Sequence, residues 1–104
     1  MNVRGLRDNL KRKKVILWLR QQKCDIAFLQ ETYWTNELET RITSDWNGRC
    51  IFNHGTNHSK GVAVLIKKEL DLNIVNKFVM DVHTGRAIGF RFIYNKKLFL
   101  CLIV

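Results

Sequence analysis

The chain alternates between two hydrophobic rhythms, and the change falls near Gly48. From residue 8 or 9 to about 22, bases and glutamines flank a Val15-Ile16-Leu17-Trp18-Leu19 run without Gly or Pro. Five consecutive apolar residues project around most of a helix and also suit a buried strand, and the length and polar flanks favour helix. A short Asp8 or Asn9 side chain caps its first free amides. Residues 25–31 then read as a strand after a minimal connection, and 36–45 as a second, shorter helix. Beyond Gly48, residues 49–53, 61–67, 73–82, 86–94 and 97–104 carry strand patterning, separated by turn-rich segments at 53–59 and 83–85. Residues 62–66 and 98–104 are apolar on both alternating faces, so each strand is expected to be covered on both sides.

A single domain is the most that 104 residues support, and 46% hydrophobic content excludes a disordered tail. The net charge of +9 is unevenly placed. Residues 1–23 hold eight bases (Arg4, Arg7, Lys11, Arg12, Lys13, Lys14, Arg20, Lys23) against Asp8, a local charge of +7. Such a field attracts polyanions and predicts salt-sensitive nucleic-acid binding. A solvated helix face is the bland alternative, and Lys11 to Lys14 also suits a nuclear-targeting patch. Cys24, Cys50 and Cys101 form no close pair, which is neither a disulfide framework nor a zinc signature and suits a reducing compartment. No apolar run reaches the roughly 18 residues of a membrane span, and the basic N-terminus lacks the apolar core of a signal peptide. The expectation is a soluble, intracellular protein with a nuclear option.

The apolar strand at 25–31 stops abruptly on Gln30-Glu31-Thr32. A carboxylate at a strand mouth is held rigidly while its head reaches the cleft, as a catalytic group requires. Asn2-Val3-Arg4-Gly5-Leu6 precedes it, and Ser59-Lys60-Gly61-Val62-Ala63-Val64-Leu65-Ile66 follows it. In this order and spacing the three motifs resemble the start of the endonuclease/exonuclease/phosphatase (DNase I-like) superfamily, within it the endonuclease domain of LINE-type non-LTR retrotransposons. The resemblance covers nearly the whole chain but only the front part of the family's domain, so residues 1–104 are expected to be a partial domain cut at both ends. It implies an α/β fold, a truncated four-layer sandwich of two sheets flanked by helices.

The activity implied is Mg²⁺-dependent hydrolysis of DNA phosphodiester bonds. Magnesium keeps several waters and needs only one or two protein carboxylates. By resemblance Glu31 matches the family's metal-binding Glu, and Asn2 the Asn that hydrogen-bonds in the same site. Arg4, Lys60 and Arg86 are candidates for contacting DNA, with structural ion pairing the default reading for Lys60 and Arg86. Tyr33 stands where many family members have His and cannot titrate near neutrality; half-buried packing beside Trp34 is its plainer reading. His54 and His58, four apart in a Gly- and Asn-containing loop, read as solvent-exposed rather than zinc ligands, and His83 as part of a surface connection.

In the family, the His-Asp pair, the Asp-x-Asn cluster and a catalytic Tyr all lie further along than Val104. The chain alone is therefore expected not to cleave DNA, lacking the general base that takes the water's proton. The alternatives are a non-catalytic basic nucleic-acid-binding module and an inert relic. A sugar or lipid phosphatase of the same superfamily fits the Asn2 to Leu6 and Ser59 to Val62 details less well. Exposing on the order of 400 Å² of apolar sheet face costs roughly 10 kcal/mol, comparable with a typical total stability of about 5–15 kcal/mol. Marginal stability is expected, with an aggregation-prone edge at residues 98–104.

Overall fold

The computed structural model describes residues 1–55, 60–80 and 87–103. Helix α1 (Asn9–Gln21) is followed by strand β1 (Ile26–Gln30), a 3₁₀ turn (Asn36–Leu38) and helix α2 (Glu39–Trp46). Five strands follow: β2 (Gly48–Asn53), β3 (Val62–Lys67), β4 (Asn73–Met80), β5 (Ala87–Tyr94) and β6 (Lys97–Ile103). They build two three-stranded antiparallel sheets, ordered β1-β3-β2 and β4-β5-β6. The expected elements are all present; most bounds agree within a residue or two, the second helix opens as a 3₁₀ turn so that α2 starts three residues later, and the expected bounds at 82, 86 and 104 lie outside the described residues.

Asp8 caps α1, its carboxylate accepting from the Lys11 amide at 3.0 Å. The ambiguous run at 15–19 is helical, with Ile16 and Leu19 turned inward and Leu17 and Trp18 about half exposed. Arg12 shares the inward stripe with Ile16 and Leu19 and is 1% exposed, so the basic segment is not entirely a solvated face.

Strand β3 positions everything else. Its period of two sends Ala63 and Leu65 to the helix side, where they meet Ile16, Leu19, Ile42 and Trp46, and sends Val62, Val64 and Ile66 to the second sheet, against Ile88, Phe90 and Ile103. All five residues from Val62 to Ile66 are buried, as a strand covered on both faces requires. The layers are thus helices, first sheet, second sheet.

Strand β6 departs from the expectation of two covered faces. Leu98, Leu100 and Leu102 are 54–65% exposed, whereas Ile103 packs inward. The cause is topological: among the described residues both helices lie on the far side of the first sheet, and none covers the outer face of the second.

Two polar links, one buried and one part-buried, join the parts. Asn53 Nδ2 donates to the Ala87 carbonyl at 2.8 Å, tying β2 to β5. Arg49 donates to the carbonyls of Leu72 (2.7 Å) and Leu70 (3.0 Å), closing the turn after β3.

Candidate active site

Residues 30–33, with Glu31 among them, are held from both sides by backbone hydrogen bonds. On one side the N-terminal segment runs parallel to β1: Gln30 N–H donates to Met1 O, Val3 N–H to Gln30 O, Gly5 N–H to Glu31 O and Leu6 N–H to Thr32 O, at 2.6–2.9 Å. Asn2 forms an isolated parallel bridge with Gln30 within this ladder. On the other side Thr32 N–H donates to Gly61 O at 3.2 Å and Tyr33 N–H to Lys60 O at 2.9 Å. Three motifs far apart in sequence therefore converge, and Asn2, Arg4, Glu31 and Lys60 belong to one constellation.

The backbone here adopts uncommon conformations. Arg4 (φ 52°), Glu31 (φ 55°) and Tyr33 (φ 55°) occupy the left-handed region although none is Gly or Asn. Such conformations persist only where the surroundings over-determine them, and they concentrate at functional sites. Gly5, with φ +92°, lies so close beneath Tyr33 that a Cβ would stand 2.7 Å from the ring. Tyr33 is accordingly half-buried and packs on Gly5. The neighbouring Trp34 is fully buried, donates from Nε1 to the Leu6 carbonyl at 2.9 Å and meets Phe52 edge-on at 6.0 Å.

The side chains divide into engaged and available groups. Asn2 Oδ1 accepts from the Arg4 amide at 3.0 Å in a local turn, and the amide nitrogen of the exposed Asn2 has no hydrogen-bond partner among the described residues. Among the described residues the carboxylate of Glu31, the ammonium of Lys60 and the guanidinium of Arg4 have no hydrogen-bond or ion-pair partner. Arg86, His58 and His83 lie outside the described residues.

His54, read from the sequence as solvent-exposed, is instead buried: its side chain is 5% exposed, Nε2 lies 2.8 Å from Glu39 Oε2, and the ring packs on Phe52. Residues 15 apart in sequence meet because α2 crosses the helix-side face near the end of β2, a proximity no local pattern announces. His54, Glu39 and Asn53 are the polar groups that the sequence reading did not weigh as partners.

A half-buried carboxylate with no internal partner, fixed at a strand end, suits a hard cation that retains most of its water. Among the described residues no group of three His, Cys, Asp or Glu side chains could hold a metal ion.

The Endonuclease/Exonuclease/phosphatase family description matches residues 1–102. The chain is also 34% identical over 91 residues to the transposon TX1 uncharacterized 149 kDa protein of Xenopus laevis, a match covering 88% of this chain and 7% of that relative. With the family's sequence pattern spanning almost every residue, and its three separate motifs converging on one strand end, the chain belongs to the Endonuclease/Exonuclease/phosphatase family.

Proposed function

We propose that this chain supplies the cation-holding part of a Mg²⁺-dependent DNA endonuclease of retrotransposon type, which nicks target DNA. The observation that carries the reading is the carboxylate of Glu31, set in a segment whose backbone is clamped from two sides and unengaged at its head. Glu31 would hold the metal, and the amide nitrogen of Asn2 would donate to a phosphoryl oxygen. When bound, Mg²⁺ supplies charge neutralisation at the phosphoryl oxygens. Arg4 and Lys60, both cationic and beside Glu31 in the backbone ladder, would contact the DNA backbone, and Arg86 would join them.

Hydrolysis further needs a group that takes a proton from the attacking water. The described histidine, His54, is buried and held by Glu39, so it is not placed for that task. His58 and His83 lie outside the described residues, and the chain by itself is expected to bind the cation without nicking DNA.

The test is a Mn²⁺ titration followed by amide NMR, run beside supercoiled-plasmid nicking with Mg²⁺. Paramagnetic broadening confined to Gly5, Glu31, Thr32 and Gly61, lost in Glu31→Gln, is the expected result. Equal broadening in the variant sinks the assignment, and EDTA-sensitive nicking by the chain alone sinks the claim that a base is lacking.

A second reading, a non-catalytic nucleic-acid-binding module, draws on the exposed bases Arg7, Lys13, Lys14 and Arg20 of the N-terminal segment and α1. DNA binding that is unaffected by both Glu31→Gln and divalent cations would favour it.

A further inference from the structure

We propose that a small basic pocket at the opposite end of β1 from Glu31 is a second anion site, taking one phosphate group. It lies between the C-terminal end of α1, the start of β1 and the turn after β3, with a volume of about 150 Å³. That is well above the roughly 10–15 Å³ one water needs, so the pocket has room for a phosphate group. Arg20, Lys23, Lys67 and Lys68 line it against the single carboxylate of Glu69, and buried Trp46 forms part of its wall.

What marks the pocket is the gathering of four cations around one small cavity with little engagement by the protein itself. Here Lys23 and Lys68 have no partner among the described residues. Arg20 gives one N–H to Asp45 O at 3.2 Å, which leaves most of its guanidinium donors unused, and Lys67 meets Asp25 only at 3.6 Å. Like charges gathered around one small cavity repel one another until an anion enters, so the arrangement suits an occupied state.

The backbone supplies an independent observation. Helix α1 ends in a Schellman motif, with Lys23 N–H donating to Arg20 O at 3.0 Å and Cys24 N–H to Leu19 O at 3.3 Å. Its left-handed position is normally Gly or Asn, yet here it is Lys23, at φ 55°. Glycine would serve this turn with less strain, whereas lysine places an ammonium in the pocket wall.

That conflict makes the test sharp. Lys23→Gly relieves the turn and removes a ligand, so its melting temperature without phosphate should rise while inorganic phosphate binds more weakly. In Lys23→Gly/Lys68→Gln, calorimetric titration at low ionic strength should show phosphate affinity reduced at least tenfold. Lys77→Gln/Lys97→Gln, which removes equal charge from exposed positions on the second sheet, should leave it unchanged. Equal phosphate binding in wild type and the pocket variant, or equal weakening in the second-sheet control, overturns the proposal. A short duplex in EDTA separates the sources. A lower salt slope by about one in the pocket variant assigns the phosphate to a nucleic-acid backbone, and an unchanged slope assigns it to a free phosphate compound. The site is independent of the Glu31 reading, because five residues of β1, about 17 Å of strand, separate the two.

Discussion

Arg12 is the place where the structure spends most on a charge, and replacing it with methionine should stabilise the fold. The residue is 1% exposed, on the stripe of α1 that faces the first sheet beside Ile16 and Leu19. Its guanidinium donates to Asn9 Oδ1 at 2.5 Å and, at the long limit of 3.4 Å, to Arg7 O, while Nε has no partner. No carboxylate pairs with it among the described residues. Withdrawing an ion from water costs several kcal/mol even after relaxation. One good charged hydrogen bond returns about 1.5–3 kcal/mol, and the second is too long to return much. Methionine keeps the unbranched stem and adapts to an irregular space, so little packing is lost. The expected balance is a gain of about 1–3 kcal/mol, within the range seen when buried ionic groups are replaced by apolar ones. For a chain of this size that is a rise in melting temperature of roughly 4–8 °C per kcal/mol. Urea unfolding followed by tryptophan fluorescence, with a common m-value, measures it. Arg12→Ala separates charge from volume, since it removes both and should fall below Arg12→Met. A loss above about 1 kcal/mol in Arg12→Met would refute the reasoning and mean that the guanidinium is better compensated than its two neutral acceptors allow.

Other outcomes follow from the same geometry. Gly61 has φ +110°, and a Cβ there would meet Thr32 Oγ1 at 2.9 Å and Asn53 O at 3.3 Å, so Gly61→Ala should cost about 2–5 kcal/mol from backbone strain and overpacking together; urea unfolding showing less than about 0.5 kcal/mol would contradict this. Burial pushes the Cys50 thiol up to about 11 from its ordinary value of 9.0, with Glu39 adding to the rise and Thr43 opposing it. The folded pKa exceeds the unfolded one, so this contribution is intact below pH 9 and is lost as pH climbs through 11. Two units at 1.36 kcal/mol each give about 3 kcal/mol, read as the difference in pH dependence between wild type and Cys50→Ala, and iodoacetamide should label Cys50 slowly at pH 8. On the outer face of the second sheet, changing Leu98, Leu100 and Leu102 to Thr should raise the concentration at which the chain stays monodisperse in light scattering while leaving secondary structure intact, because these side chains lie in solvent on a strand at the sheet edge.

The elements were legible because their signals are local. Asp8 before a Pro-free and Gly-free run marks a helix start, and the period-two pattern of β3 marks a strand buried on both faces, whatever the rest of the chain does. Glu31 at the end of an apolar strand was legible for the same reason, as was the half-buried setting of Tyr33. Leu98 to Leu102 misled because an apolar run reports what a strand can bury, not whether a covering layer is present. His54 and Lys23 were illegible for a different reason. A loop histidine becomes a buried partner only because α2 brings Glu39 to it, and a helix-end lysine becomes a pocket wall only because the turn after β3 arrives opposite.

The sequence by itself therefore determined the order of helices and strands, the inward faces of β3 and the three motifs that mark the family, since each rests on side-chain periodicity or short-range backbone chemistry. Tertiary structure alone decided that Asn2, Glu31 and Lys60 converge, that Arg12 is buried, and that four cations surround one small cavity. These are pairings between residues tens of positions apart, and such proximity is set by how the sheets and helices pack.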